Sequence, residues 1–194
     1  MRIVALVALL VIVGIGVVLV RRRALRAAAS AAGKGAAYAS LRAQILAASA
    51  ARLGIALAPG QRVWGVLMEL GYPGSVVTVV ALRDGNASIY FSSGGGVLGG
   101  FAHEPVRQAA ARLNAVAEQA GAPLARTEEH PLPAQGEARF HVLTTEGVFT
   151  AAAPEAEVQR NDHPLSALYA AGQDVITQLR LVKQKREAEA GGKA

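Results

Sequence analysis

The stretch "SVVTVVALRDGNASIYF", Ser75 to Phe91, predicts the element around which the fold is built. Both of its ends are rich in β-branched and aromatic residues, the side chains that strands favour. Between the ends, Asp84-Gly85 suits a type I′ turn because both residues tolerate positive φ. The pattern therefore predicts a β-hairpin.

The segments on either side of this hairpin extend it into a mixed domain. "RVWGVLMEL", residues 62–70, is rich in strand-forming residues and ends at the turn sequence "GYPG". Apolar residues at helical spacing predict helices over residues 36–53, closed by Gly54, and over residues 103–121.

The second half of the chain follows a similar order. A strand is predicted over residues 123–129, and a second hairpin across Glu146-Gly147, with His141 in mid-strand on the solvent face. A long helix follows His163. The fold class is therefore α+β: an N-terminal transmembrane helix, then a compact domain of antiparallel hairpins and helices, an order that also allows two βββα units. This order resembles small mixed sheets with helices on one side, of the profilin-like or roadblock-like kind, a likeness of topology that does not decide function.

The last helix carries an apolar stripe at spacings of three and four residues, which must be buried. Packing on the domain's own sheet is the favoured interpretation, and a homodimer through the C-terminal helix is the alternative. The stripe consists of Leu165, Leu168, Gly172, Val175, Leu179 and Val182.

An uninterrupted apolar run, Ile3 to Val20, predicts a membrane anchor. Its length as a helix, roughly 27 Å, is close to the thickness of a bilayer's hydrocarbon core. A basic cluster follows the run, and positive residues stay on the cytoplasmic side. The sequence thus predicts a single pass in the inner (cytoplasmic) membrane, with the N-terminus outside and the domain in the cytoplasm; a cleaved signal peptide is the alternative. The membrane-flanking arginines are Arg21, Arg22, Arg23 and Arg26.

The chain is thus divided into four parts. Residues 1–23 are the anchor with its basic flank, and residues 24–37 are an Ala/Gly-rich stem or linker. The α+β cytoplasmic domain covers residues 38–185, and a disordered tail is expected over residues 186–194. A composition rich in Ala, Gly, Val and Arg is typical of high-GC bacterial coding sequences.

The distribution of charge excludes nucleic acid as the expected partner. The net charge is +6, but residues 1–62 hold nine basic residues and no acid. Residues 63–194 hold 11 basic and 14 acidic residues, a net charge of −3. The domain therefore offers no basic stripe for a phosphate backbone.

The glycine-rich stretch "SSGGGVLGG", residues 92–100, is the one segment that suggests ligand binding. Three of its glycines have the spacing G-x-G-x-x-G, but the preceding strand belongs to a hairpin and not to a βαβ unit. A backbone nest for an anion is one interpretation, and a sharp bend or a close approach of another backbone is the favoured one. The candidate ligand-binding residues are Ser92, Ser93, Gly94, Gly95, Gly96, Gly99, Gly100, His103 and His163.

No set of residues points to a reaction. Cysteine is absent, and the four histidines show neither an H-E-x-x-H motif nor an i, i+4 pair, so no metal and no cofactor is expected. We expect a non-enzymatic adaptor or scaffold that binds the lipid bilayer and a protein partner. The alternatives are a small-anion or nucleotide sensor using loop 92–100, and a hydrolase or transferase using His103 or His163.

Overall fold

The computed structural model describes residues 33, 35–121 and 123–191. Seven strands follow in chain order: β1 (Val63–Tyr72), β2 (Ser75–Leu82), β3 (Ala87–Phe91), β4 (Gly96–Val97), β5 (Ala125–Thr127), β6 (Glu137–Thr144) and β7 (Gly147–Pro154). The helices are α1 (residues 35–46), α2 (Ala50–Leu53), α3 (Glu104–Gln119), α4 (Glu155–Val158) and α5 (Ser166–Gly191), with a 3₁₀ turn over Gly100–Ala102. The described part is therefore α+β, as predicted.

All seven strands form one antiparallel sheet in the order β4-β3-β2-β1-β6-β7-β5. Two similar halves meet at the central β1–β6 pair. Each half adds a hairpin partner (β2 or β7), an outer strand (β3 or β5) and a long helix (α3 or α5). The halves differ in chain order, because the outer strand follows the hairpin in the first half and precedes it in the second.

Strand β1 is buried on both faces. Val66, Met68 and Leu70 point to the face that α3 and α5 cover, which we call the helix-pair face. Leu67 points to the opposite face, the α1 face, where it packs in a cluster with Tyr38 of α1. Helices thus lie on both sides of the sheet, whereas the profilin-like or roadblock-like order predicted them on one side.

The predicted hairpin of Ser75 to Phe91 is confirmed, but its turn type was wrong. Gly85 has a φ of 91°, while Asp84 keeps a negative φ. The Gly85 N–H donates to Leu82 O at 3.0 Å, and the Leu82 N–H donates to Asn86 O at 2.8 Å. This is a type I turn followed by a glycine bulge, so only one residue needs positive φ.

The helices begin and end differently from the prediction. The segment predicted as one helix over residues 36–53 breaks after α1, and Ser49 then caps the short α2 by accepting from the Arg52 N–H. Gly54 closes α2 in a left-handed conformation, as predicted. Helix α5 continues to Gly191, beyond residue 186, where we predicted a disordered tail; Lys183 and Glu187 form an i, i+4 ion pair there.

The apolar stripe of α5 is buried inside the domain. All six of its residues are under a tenth exposed and belong to the cluster shared by α3 and the sheet, or touch it directly. The favoured interpretation, packing on the domain's own sheet, is therefore supported by the contacts of the stripe.

The predicted anchor lies outside the described residues. Ile3 to Val20 and the arginines Arg21, Arg22, Arg23 and Arg26 are not among them. Within the described ranges, no helix combines the length and the hydropathy needed to cross a bilayer.

We predict that Gly71→Ala destabilises the domain. Segment 133–136 crosses β1 at this point, and a Cβ on Gly71 would lie 1.9 Å from the Ala134 carbonyl oxygen. Backbone cannot yield as a flexible side chain does, so the free energy of unfolding should fall by about 3 kcal/mol. Urea denaturation followed by the fluorescence of Trp64, the single tryptophan, measures the change.

Gly35→Ala is the matched control for this substitution. Gly35 lies in α1 with nothing within 4 Å of its added Cβ. Alanine there should leave the free energy of unfolding unchanged or raise it by up to about 1 kcal/mol. Equal effects at both glycines would contradict the close approach at Gly71.

Candidate functional site

Residues 92–97 of the glycine-rich stretch form a tight hairpin at the edge of the sheet, and Gly100 begins the 3₁₀ turn. The Gly94 N–H donates to Phe91 O at 2.8 Å, and Gly96 pairs with Tyr90 to begin strand β4. Ser92 is tied to β2, because its Oγ accepts from the Val76 N–H at 2.8 Å. Several groups that an anion would use are thus already hydrogen-bonded within the fold.

Two glycines of the stretch are required by contact. A Cβ on Gly96 would lie 2.3 Å from Ile89 O, and one on Gly100 would lie 2.5 Å from Val106 Cγ1. The contact at Gly96 agrees with the favoured interpretation, a bend where another backbone approaches closely, whereas Gly100 meets a side chain of α3. Anion binding by Ser93, Gly95 and their neighbours stays a prediction.

The candidate histidines lie far apart. Nε2 of His103, at the start of α3, lies 3.2 Å from Arg186 near the end of α5. His163 precedes α5, and its Nδ1 accepts from the Leu165 N–H at 3.1 Å. Arg186 is 20 residues beyond Ser166, which corresponds to about 30 Å of helix. The structure does not bring the two histidines together.

A cavity of about 390 Å³ lies on the helix-pair face, between α5 and the edge strands of the sheet. We call it the α5 cavity. Strand β4, formed by the glycine-rich hairpin, supplies Gly96 and Val97 to its wall. The sheet also contributes Leu70, Tyr72, Val77, Ile89 and Phe91, and α5 contributes Gln173, Ile176, Arg180 and Lys183.

A second, more open cleft of about 500 Å³ lies on the α1 face, between α1–α2 and strands β2–β3. We call it the α1 groove. Three leucines from different elements line it while remaining exposed: Leu41 at 39%, Leu53 at 43% and Leu98 at 57%. Ile45, Val80 and Tyr90 form its floor and inner wall.

A polar cluster that the sequence did not predict is buried next to this groove. Glu69 of β1 is fully buried and accepts from Arg42 through both oxygens, at 2.8 and 2.7 Å. Its Oε1 also accepts from Thr78 Oγ1 at 2.8 Å, and its Oε2 lies 3.3 Å from His141 Nε2. Tyr38 joins the cluster through Thr78, at 2.9 Å.

Arg42 ties three parts of the chain together. It projects from α1 to Glu69 in the sheet, and its Nη1 donates to the carbonyl of His130 at 2.9 Å. Its Nη2 also reaches the Pro131 carbonyl at 3.2 Å. One guanidinium thus holds α1, the central strand and the 130–131 segment in place, which suits its planar fork of donors.

The charges in the cluster follow from these contacts. Burial by itself would raise the pKa of Glu69, but the hydrogen bonds from Arg42 and His141 outweigh it and lower that pKa to about 2. Burial raises the pKa of Tyr38 and that of Tyr90, so both phenols keep their protons. Burial lowers the pKa of His130, which favours its neutral form.

The arrangement of the polar cluster is suited to a structural role. Glu69, Thr78 and His141 have no exposed surface, so no substrate atom reaches them. The carboxylate of Glu69 is ionised and shared by several donors, and it has no proton to give near neutral pH. Within the described ranges, no group of three His, Asp or Glu side chains is placed to hold a metal ion.

The prediction for His141 was wrong. We expected it on the solvent face, because polar residues that alternate with apolar ones in a strand usually face water. In the structure α1 and the 130–131 segment cover that face, and His141 is fully buried. One signal was present in the sequence: Glu69 is the only charged residue in the ten residues of β1.

We predict that Arg42→Ala lowers the free energy of unfolding by about 3–5 kcal/mol, because it leaves the carboxylate of Glu69 buried without its cation. Arg62→Ala is the matched control, since Arg62 pairs with Glu118 at 3.8 Å and is 58% exposed. The control should cost under about 1 kcal/mol. Urea denaturation of both variants measures the difference, and similar costs would contradict a stabilising role for the cluster.

We also predict an acid-induced loss of stability that depends on Glu69. The pKa of Glu69 is about 2 in the folded chain against an ordinary value of 4.5, so the unfolded chain binds more protons between these values. The contribution of Glu69 is complete above about pH 4.5 and is lost as the pH falls towards 2.

Urea denaturation of the wild type and of Glu69→Gln at several pH values checks this prediction. The free energy of unfolding should fall more steeply with acid in the wild type. Glu104 and Asp174, whose pKa values are lowered by hydrogen bonds from Gln108 and Arg112, contribute equally to both proteins. Parallel curves would show that Glu69 is not the responsible group.

No family model, no curated protein and no solved structure matches this chain.

Proposed function

We propose that this protein is a single-pass, membrane-anchored, non-enzymatic adaptor or scaffold that binds a protein partner. The α1 groove is the observation that carries the proposal. The anchor of the protein crosses the inner membrane, with the N-terminus outside and the domain in the cytoplasm. The alternative function, a sensor for a small anion or nucleotide at residues 92–100, is the second proposal.

The anchor proposal rests on the sequence. Ile3 to Val20 is long enough to span a bilayer, and the arginines at 21–23 and 26 follow it. These arginines also suit contact with anionic lipid headgroups. The part of helix α1 that the structure describes, from residue 35, lies about 15 residues beyond the apolar run and forms one wall of the groove.

The groove has the chemistry of a protein-binding surface. Leu41, Leu53 and Leu98 come from α1, α2 and the segment after β4, and all three stay exposed around one apolar cleft. Exposed apolar side chains that cluster in this way are typical of interaction sites. A cleft that combines exposed leucines with an aromatic floor at Tyr90 suits the apolar face of an amphipathic helix.

The buried polar cluster also favours binding over catalysis. The polar side chains that come together, around Glu69 and Arg42, are sealed beneath α1 and hold that helix in place. The groove is therefore built on a fixed helix, and a preformed surface loses less entropy on binding. A homodimer through α5 would need residues outside the buried stripe, such as Leu181, which is 50% exposed.

Site-specific cross-linking in membranes of the cells that naturally make this protein tests the proposal. The chain contains no cysteine, so Leu98→Cys places a benzophenone label at one position of the full-length protein. We expect one discrete adduct between this position and a protein partner. Ala111→Cys, exposed on α3 across the sheet, is the matched control and should give no such adduct.

A second substitution distinguishes binding in the groove from non-specific cross-linking. Leu41→Asp changes an exposed leucine of the groove wall and should leave the free energy of unfolding within about 1 kcal/mol. It should reduce the Leu98 adduct at least tenfold. Equal adducts from Leu98→Cys and Ala111→Cys, or an adduct unaffected by Leu41→Asp, would refute the groove. An adduct of twice the chain's mass would identify the partner as a second copy.

A further inference from the structure

The α5 cavity combines apolar walls with a charged rim. Leu70 and Ile89 at its base are buried in the core, at 2% and 7% exposure. Val77, Phe91 and Ile176 pack against that core but are only partly buried. The cavity therefore continues the core outward and leaves apolar surface that a ligand can still remove from water.

Two cations of α5 stand at the rim of this cavity. Arg180 and Lys183 are three residues apart, so they lie on the same side of the helix. Among the described residues, no carboxylate forms an ion pair with Arg180, and Lys183 has only a loose pair with Glu187, at 3.7 Å. The domain from residue 63 onward has a net negative charge, so a cationic rim beside an apolar cavity is a local exception.

We propose that the α5 cavity binds an amphipathic monoanion, a carboxylate with an unbranched apolar tail of medium length. The tail lies between Ile176 of α5 and the side chains of β2, β3 and β4, and the carboxylate pairs with Arg180 and Lys183. The volume of about 390 Å³ falls within the range of small-ligand pockets, about 300–1,000 Å³.

The two halves of the cavity select this ligand together. A short anion such as acetate would reach only the exposed cations, and exposed ion pairs contribute little. A neutral alcohol of the same length would fill the apolar part but leave both cations without an anion. Tail and charge are both needed for the full affinity.

The glycine-rich hairpin has a definite part in this site. Gly96 lets β4 approach β3 closely, and that approach places Val97 in the wall of the cavity. The hairpin thus contributes a surface and not a phosphate cradle. The cavity lies on the helix-pair face and the α1 groove on the other face, so this proposal does not depend on the proposed adaptor function.

Photo-crosslinking of the full-length chain in phospholipid nanodiscs tests the proposal. The probe is a medium-chain fatty acid with a diazirine in its tail, and the comparison probe is the corresponding alcohol. We expect the acid to label peptides from residues 87–97 and 173–183. Decanoate should compete with this labelling, whereas decanol should compete far less well and acetate not at all.

Substitutions on α5 test whether binding of the acid depends on the cations at the rim of the cavity. Arg180→Gln combined with Lys183→Gln should raise the decanoate concentration needed for half-maximal competition about tenfold. Lys185→Gln removes an exposed charge from another side of the same helix and should leave that concentration unchanged. Both variants are at exposed positions, and thermal unfolding by circular dichroism should give wild-type midpoints.

Other results would overturn the proposal. Equal labelling by acid and alcohol, or competition unchanged in the double variant, would show that the rim does not recognise an anion. Label confined to Ile3–Val20, or spread evenly over the surface, would show that the probe follows the bilayer and not the cavity. None of these results depends on whether the α1 groove holds a partner.

Discussion

Strand β1 has neighbours on all sides: β2 and β6 along its edges, α3 and α5 over one face, and α1 over the other. Such a position tolerates a charge only if the charge has a fixed partner, because an isolated carboxylate in the interior costs several kcal/mol. Glu69 occupies this position and Arg42 is its partner. The docking of α1 is therefore a condition for the stability of the central strand, in addition to the apolar contacts of Tyr38 and Leu46.

Because α1 is fixed in this way, the two faces of the sheet present different surfaces. On one face the cover of α1 and α2 stops short of the outer strands, and the exposed leucines of the α1 groove mark its limit. On the other face the α5 cavity lies between α5 and strands β1 to β4. Both openings lie beside the outer strands β3 and β4.

The parts of the fold that could be predicted from the sequence are those encoded by local pattern. Strand-forming residues on either side of Asp84-Gly85 and of Glu146-Gly147 predicted both hairpins, and helical spacing predicted α3 and the buried stripe of α5. The turn at Asp84-Gly85 was predicted in place but not in type, because Asp-Gly also fits a type I turn with a glycine bulge. The strand order, including the pairing of β5 with β7, was not predicted, since it depends on contacts between distant segments.

The polar cluster could not have been predicted in the same way. Tyr38, Arg42, Glu69, His130 and His141 span more than half of the chain, and no motif spacing connects them. A charged residue inside an apolar strand indicated that a partner exists, but not which one. Likewise, the glycines at 96 and 100 suggested a ligand from their sequence, whereas the close contacts around them are visible only in three dimensions.

The position of β1 also bears on how the chain folds during synthesis. Strand β1 ends at Tyr72 and its neighbour β6 begins at Glu137, so the ribosome adds 64 residues, 73–136, before one edge of β1 has its partner. At about 5–20 residues per second, that edge stays open for several seconds. An apolar strand with an open edge invites pairing with other chains, and a charge within it discourages such aggregation. The place of Glu69 within this strand fits that rule, before the carboxylate becomes part of the finished core.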